Sequence, residues 1–199
     1  MGTSGSGKTY AGKRLDKELL KLFPELPHYV LDTQHMGDFD DYENIIQNNR
    51  APKTDLGKQR YQIWQPFIRY PDQIEKWLWG IFEGGPSILM IDELHALKYS
   101  GQQNYSDAYS VIQRAGRARR ITTITHTQKL HKIPADAFEQ ATHRLGFYMD
   151  GRYNQLIRSD MLKMEKAPQP HDDHGFYYQH INGRGEATYY EDIQEFLGL

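Results

Sequence analysis

The residues at the start of the chain have the types and spacing to hold a phosphate group. Gly2-Thr-Ser-Gly-Ser-Gly7-Lys8-Thr9 places two glycines, separated by four residues, ahead of a lysine and a threonine, the pattern of a phosphate-binding loop. Glycines let successive backbone N–H groups turn inward on phosphate oxygens, and the helix that follows presents its positive end to them. Lys8 would neutralise the β and γ oxygens of ATP, and the Thr9 hydroxyl would ligate Mg2+. Gly2, Gly5, Ser6, Gly7, Lys8 and Thr9 are therefore the nucleotide-binding candidates. The plain alternative, a flexible Gly/Ser terminus, is disfavoured because a helical pattern begins where the loop requires one.

A second constellation follows an apolar run, Ser87-Ile-Leu-Met-Ile-Asp92-Glu93. Two carboxylates at the end of a buried strand, in a chain that also carries a phosphate loop, divide the work of hydrolysis. Asp92 holds Mg2+, directly or through water, and Glu93 polarises the attacking water. A glutamate directly after the aspartate favours hydrolysis over transfer to a small molecule. A third element is Ile121-Thr-Thr-Ile-Thr-His-Thr-Gln128, a β-branched strand that turns polar at its end. Lying between the two motif-bearing strands, it would bring Gln128 to the γ-phosphate, to orient water or report nucleotide state. Just before it, positions 113 to 132 hold Arg114, Arg117, Arg119, Arg120, Lys129 and Lys132 with no acid among them. An arginine there could reach a neighbouring subunit's nucleotide, where a trans arginine contributes about 10³–10⁵ in rate.

These groups need a scaffold, and the rest of the sequence describes one. Helical spacing starts at Lys8 and runs to Phe23, with Leu15, Leu19, Leu22 and Phe23 on one face and Pro24 as the stop. Tyr29–Leu31 and Tyr61–Trp64 read as strands. Pro71 opens a helix carrying Ile74, Trp77, Leu78, Ile81 and Phe82 at helical spacing, with Trp77 toward the core and Trp79 on another side. Ile88–Ile91 is the clearest buried strand. A helix bearing Tyr105 to Ala115, the strand Ile121–Thr125, a helix near Ala135 to Thr142 and a strand at Leu145–Met149 follow. Helices alternating with short apolar runs imply an α/β fold, a mostly parallel sheet flanked by helices. From Gly151 the pattern changes to two aromatic strands around Asn182-Gly-Arg-Gly185, a β-hairpin appendage. The domain reading is thus 1–150 for a P-loop ATPase domain and 151–199 for the appendage.

At 199 residues, the chain has room for one such domain. Lys and Arg number 24 against 26 Asp and Glu, so the net charge of −2 requires any nucleic-acid contact to come from local basic stripes. There is no cysteine, which excludes disulfides, thiolate zinc sites and a Cys nucleophile. No run of about 18 apolar residues suggests a membrane span. His171-Asp-Asp-His174 has metal-ligand chemistry but lies in a proline-flanked loop, and the segment Tyr99–Asn104 after Lys98 is a candidate pore loop.

The order of these features resembles the HerA/FtsK superfamily of ring-forming P-loop ATPases with the additional-strand, RecA-like fold, and within it the viral genome-packaging ATPases. The string Ile112-Gln-Arg-Ala-Gly-Arg-Ala-Arg-Arg-Ile-Thr-Thr-Ile-Thr-His-Thr-Gln128 carries the likeness most specifically, and Leu31-Asp32 with the turn to Gly37-Asp38 is similar to the family's second strand. The resemblance implies phosphate-loop roles for Lys8 and Thr9, metal and water roles for Asp92 and Glu93, a sensor role for Gln128, and the arginine-finger role for Arg117. It implies ATP and Mg2+ as cofactors and a homo-oligomeric ring, a hexamer or pentamer. That ring would move double-stranded DNA into a preformed capsid at its portal vertex, in the host cytoplasm or with the virion. Alternatives are a filamentous-phage assembly ATPase, a small-molecule kinase and a non-hydrolysing, nucleotide-gated assembly protein. The family also has a hydrophobic strand directly before the phosphate loop, where this sequence has only Met1. Either the start was assigned late or another segment, such as the C-terminal hairpin, takes the place.

Overall fold

The computed structural model describes residues 7–34, 39, 42, 44–68, 70–98, 105–128, 133, 135–147, 175–180 and 187–198. The first helix, α1 (Lys8–Leu22), leads into β1 (His28–Asp32), β2 (Ile45–Ile46) and β3 (Tyr61–Trp64). Then come α2 (Pro71–Gly84), β4 (Ser87–Asp92), α3 (Asp107–Ala115) and β5 (Ile121–Thr125). The chain continues through α4 (Ala135–Gln140), β6 (His143–Phe147), β7 (Phe176–His180), β8 (Thr188–Tyr190) and α5 (Ile193–Leu197). Among the described residues no helix is long and apolar enough to cross a membrane.

Strands β1 to β5 form one parallel sheet in the order β2-β3-β1-β4-β5. Its two central strands, β1 and β4, are buried along their whole length, as a parallel sheet covered on both faces requires. Tyr29, Leu31, Leu89 and Ile91 face α2 and α3, where they meet Ile74, Trp77, Leu78, Ile81 and Ile112. The indole N–H groups of both buried tryptophans are satisfied: Trp77 Nε1 donates to Gln62 Oε1 at 2.9 Å and Trp64 Nε1 to the Asn48 carbonyl at 2.9 Å. Val30, Ile63 and Met90 point to the other face, with Phe39, Tyr42 and Ile124. The register pairs Asp32 with Asp92 and Ile91 with Thr125, so the last residues of β1, β4 and β5 emerge together along one edge.

Helix α1 covers this second face by a stripe other than the expected one. Leu22 and Phe23 are exposed, and the buried residues are Lys8, Ala11, Gly12 and Asp16. Small Ala11 and Gly12 let the helix come close to the sheet. Asp16 is tolerated inside because Tyr61 Oη donates to its Oδ2 at 2.6 Å and His28 Nδ1 lies 3.2 Å from its Oδ1. The His28 and Tyr61 rings stack, Tyr42 stacks on Tyr61 at 5.0 Å, and the Lys17 ammonium sits 4.8 Å from the Tyr42 ring centre. Burial, then the Asp16 charge, push the Tyr61 phenol far above its ordinary range.

The C-terminal hairpin is observed as β7 and β8, but it belongs to a three-stranded antiparallel sheet with β6. It therefore does not fill the place beside the parallel sheet that the sequence left open to it. The strand expected at Leu145–Met149 starts two residues earlier, at His143, because its partner is His180. The helix expected up to Thr142 stops at Gln140. The small sheet packs Phe147, Phe176 and Tyr178, with Phe196 of α5, against Ala11 and Leu15 of α1. The boundary expected at 150 falls between β6 and β7, which pair with each other.

Candidate functional site

Helix α1 begins at one edge of the sheet without a side-chain cap. Gly7 takes φ +85°, a left-handed conformation that glycine adopts without steric cost, and turns the chain so that Lys8 opens the helix. The helix thus presents its positive end at this edge of the sheet. Lys8 is only 7% exposed. Burial lowers its pKa to about 8, although the nearby carboxylates of Glu93 and Asp92 work in the opposite direction. A buried ammonium beside two carboxylates is an arrangement of charge suited to a phosphate.

The carboxylates arrive from β4. Asp92 is its last residue, and the Thr9 hydroxyl of α1 lies 3.4 Å from Asp92 Oδ1. His126 Nδ1 lies 3.2 Å from the same oxygen, and the Thr33 hydroxyl donates to the Asp92 main-chain carbonyl at 3.2 Å. Glu93, one residue on, has φ +66°, a left-handed conformation rare outside glycine, and is 4% exposed. Its Oε1 accepts from the Thr127 hydroxyl at 3.0 Å and from the Gln128 N–H at 3.2 Å, and His95 Nδ1 is 2.5 Å away. The non-glycine left-handed backbone at Glu93 is strain held by its surroundings, and such strain gathers at functional sites. Asp32 adds a further carboxylate to the edge, held by Gln65 Nε2 at 2.7 Å and the Gln34 N–H at 3.0 Å. Burial and the Glu93 charge together push the Tyr105 phenol up to about 12.

Thr9 and Asp92 offer a hydroxyl and a carboxylate, hard oxygen donors on two elements that meet. Mg2+ takes few protein ligands and completes its octahedron with phosphate oxygens and water, so this donor pair fits the ion. Glu93 lies beyond them, near the end of β5.

The structure thus brings together Gly7, Lys8, Thr9, Asp92, Glu93 and Gln128 of the sequence-derived candidates. Gln128 joins through its main chain, and its side chain is exposed. Gly2, Gly5 and Ser6 lie outside the described residues, as do Lys129, Lys132, the Tyr99–Asn104 segment and His171–His174. Arg117 is elsewhere. It lies in the 3-10 turn Gly116–Arg119 that precedes β5, at the opposite end of that strand, about 17 Å away for five residues of strand. Arg114, Arg117, Arg119 and Arg120 are all exposed there, and the Arg119 guanidinium rests 5.0 Å over the Phe82 ring. Three residues at the site had no assigned role from sequence: His95, His126 and Thr127. His126 and Thr127 could have been found, since polar residues directly after a strand parallel to β4 must share the edge with Asp92. His95 follows a left-handed residue into the 3-10 turn Leu94–Leu97, and no periodicity announces that.

No protein-family model and no curated protein sequence matches the chain. Solved structures do. The DNA-packaging ATPase B204 from Sulfolobus turreted icosahedral virus superposes with a TM-score of 0.75 at 19% identity, over 95% of this chain and 93% of that one. The genome-packaging NTPase B204 from Sulfolobus turreted icosahedral virus 2, in complex with AMPPCP, gives 0.73 at 18% identity over 95% and 93%. EssC ATPases 2 and 3 from Geobacillus thermodenitrificans give 0.61 at 11% identity, with 94% of this chain covering 37% of that one. At such identities the likeness is one of fold: a mostly parallel sheet flanked by helices, of the P-loop NTPase kind.

Proposed function

We propose that the chain is an ATP-hydrolysing motor subunit that moves double-stranded DNA into a preformed viral capsid. The observation that carries this reading is the meeting of Lys8, Thr9, Asp92 and Glu93 at one sheet edge, on a fold shared with packaging NTPases. Lys8 and the loop from Gly2 to Gly7 hold the phosphates of ATP. Thr9 and Asp92 would hold Mg2+, which would supply positive charge to neutralise that developing on the phosphates. Glu93 orients the attacking water and accepts its proton, and the end of β5, with Gln128, fixes where that carboxylate points.

Arg117 cannot serve its own pocket from the far end of β5, so it serves a neighbour's. Contacts between the arginine end of one subunit and the carboxylate end of the next are head-to-tail, and such contacts form a ring when the rotation between subunits closes. A hexameric or pentameric ring would surround the duplex with exposed basic residues, Lys98 and those from Arg50 to Arg60, and place the motor at the capsid's portal vertex, in the host cytoplasm or with the virion. Contacts of this kind go to phosphates and are salt-sensitive and largely blind to sequence.

The test is steady-state phosphate release at fixed protein concentration, with and without long duplex DNA, at low and moderate salt. Stimulation by duplex that fades as salt rises is the expected result. An assembled, hydrolysing ring that neither binds nor responds to duplex at low salt removes the DNA-motor reading and leaves an assembly ATPase. Phosphate release that needs a small acceptor points instead to a kinase.

A further inference from the structure

His126 joins three elements at the edge where the carboxylates emerge. Its N–H donates to the Ile91 carbonyl at 3.1 Å and its carbonyl accepts from the Leu94 N–H at 2.6 Å, so its main chain brackets Asp92 and Glu93 on both sides. Its side chain, 11% exposed, places Nδ1 3.2 Å from Asp92 Oδ1, the oxygen that also faces the Thr9 hydroxyl at 3.4 Å. Against an ionised carboxylate, Nδ1 carries the proton and donates it. The far side of the ring lies on α1. A Cβ at Gly12 would fall 2.0 Å from His126 Nε2 and 2.1 Å from Cε1, with Met90 Cε at 3.1 Å. Glycine in the interior of a helix is less favourable than alanine. Here the space of its missing methyl group is filled by an imidazole.

We propose that His126, seated in the notch at Gly12, is a positioning residue for Asp92. The ring is wedged between α1 and the end of β4, so it fixes the direction of Asp92 Oδ1 toward the Thr9 hydroxyl. It also makes that direction depend on how closely α1 lies on the sheet. The proposal rests on the reading that Asp92 and Thr9 hold the divalent cation of the bound nucleotide. Outer-shell partners of ligating carboxylates contribute about 10–100-fold to metal affinity, and this sets the size of the effect. Gly12 has a role that its position in a phosphate-loop helix does not require: it admits the histidine.

Divalent-cation binding to the full chain tests this directly. Mn2+ would be titrated in the presence of a non-hydrolysable ATP analogue and followed by loss of the free-ion electron paramagnetic resonance signal. Affinity for the analogue itself would be measured in chelator, without metal. His126→Ala is expected to weaken Mn2+ binding about 10–100-fold while changing metal-free analogue binding less than about twofold. His126→Asn, whose amide can still donate to Asp92, should restore most of the loss. Gly12→Ala should reproduce the His126→Ala defect by driving the ring off its seat, and Gly12→Ala added to His126→Ala should cause no further loss. A purely structural role predicts a lower Tm for His126→Ala and Gly12→Ala with Mn2+ affinity unmoved. Unchanged Mn2+ affinity in either folded single variant overturns the proposal. Should His126→Ala fail to fold, Gly12→Ala and the rescue by Gly12→Ala/His126→Asn decide it by the same readout. Asp92→Asn is the reference: if it weakens Mn2+ binding and His126→Ala does not, this inference alone fails. If Asp92→Asn also binds Mn2+ normally, the assignment of the cation to Asp92 fails with it.

Discussion

Asp16 and Asp92 each have a histidine Nδ1 at 3.2 Å from Oδ1, and each touches helix α1, Asp16 as part of it and Asp92 across from Thr9. They sit at opposite ends of the sheet. Asp16 reaches His28 and Tyr61, the first residues of β1 and β3, whereas Asp92 is the last residue of β4. At the first pair the carboxylate is closed: His28 is 0% exposed against one oxygen, and the second oxygen accepts from Tyr61 at 2.6 Å. At the second pair the neighbours are a threonine hydroxyl, a lysine of lowered pKa and a strained glutamate, and open α/β sheets take their ligands at the carboxyl ends of strands. The same two side chains therefore serve as a fastener at one end and line the candidate site at the other. Chemistry of the pair does not decide which; the remaining valences and the end of the strand do.

The sharpest way to test this contrast is Arg117, which lies at the fastener's end of the sheet yet is assigned to a site. Arg117→Ala is expected to lower turnover by about 10³–10⁵ with no loss of stability. Mixing it with Lys8→Ala subunits should restore part of the activity, because some interfaces then combine an intact pocket with an intact finger. Normal turnover in Arg117→Ala would move the role to Arg119 or Arg114. Next in size, Glu93→Gln should bind ATP and lose turnover by about 10²–10⁴. If hydrolysis continues undiminished, Glu93 is not the base. Asp16→Ala is the counterpart at the other end. Removing the carboxylate leaves the buried Tyr61 hydroxyl and His28 ring without their partner at about 1–3 kcal/mol each, which lowers the Tm by roughly 10 °C in a domain of this size. Calorimetry alongside ATP turnover at a permissive temperature checks it. A folded Asp16→Ala chain with normal Tm and impaired turnover would abolish the distinction between fastener and site.

What could be read from sequence follows the same division. Local patterns were legible: the helix that starts at Lys8, the carboxylates closing an apolar run, and the helical spacing of Ile74, Trp77, Leu78 and Ile81, which are buried as expected. Non-local choices were not. The apolar residues of α1 suggested its inward face, but Leu22 and Phe23 stay exposed while Asp16 goes inside, because its partners His28 and Tyr61 are 12 and 45 residues away. Strand β6 looked like part of the parallel sheet, yet it pairs with β7, whose aromatic residues lie beyond a long intervening segment. Ile45–Ile46 is too short for any period to reveal. At the candidate site, Lys8, Thr9, Asp92 and Glu93 converge as their motifs suggested, whereas the residues that hold the carboxylates, His126 and Thr127, depend on which strand lies beside β4.

The smallest expected effect concerns Lys8 and separates the open end of the sheet from the closed one by pH. Burial holds the folded-state pKa of Lys8 near 8, below the 10.5 of an unfolded chain. Between these values the unfolded state binds more protons than the native state, so stability of the nucleotide-free protein rises with pH through that window. The burial penalty is therefore present in full below about pH 8 and relieved above it. Nucleotide binding has the opposite sign, because phosphates favour the protonated ammonium. ATP affinity should fall above about pH 8, approaching tenfold per pH unit, in wild type but not in Lys8→Arg, whose guanidinium stays charged. Tyr29 and Tyr105, both pushed up to about 12, do not titrate in this range and leave the signal to Lys8. Urea denaturation of wild type and Lys8→Met at pH 7 and 9.5, with ATP affinity at the same two values, measures both slopes. Equal pH dependence in wild type and Lys8→Met would mean that Lys8 is hydrated in the free protein, and its lowered pKa would no longer mark the open end as a site prepared for an anion.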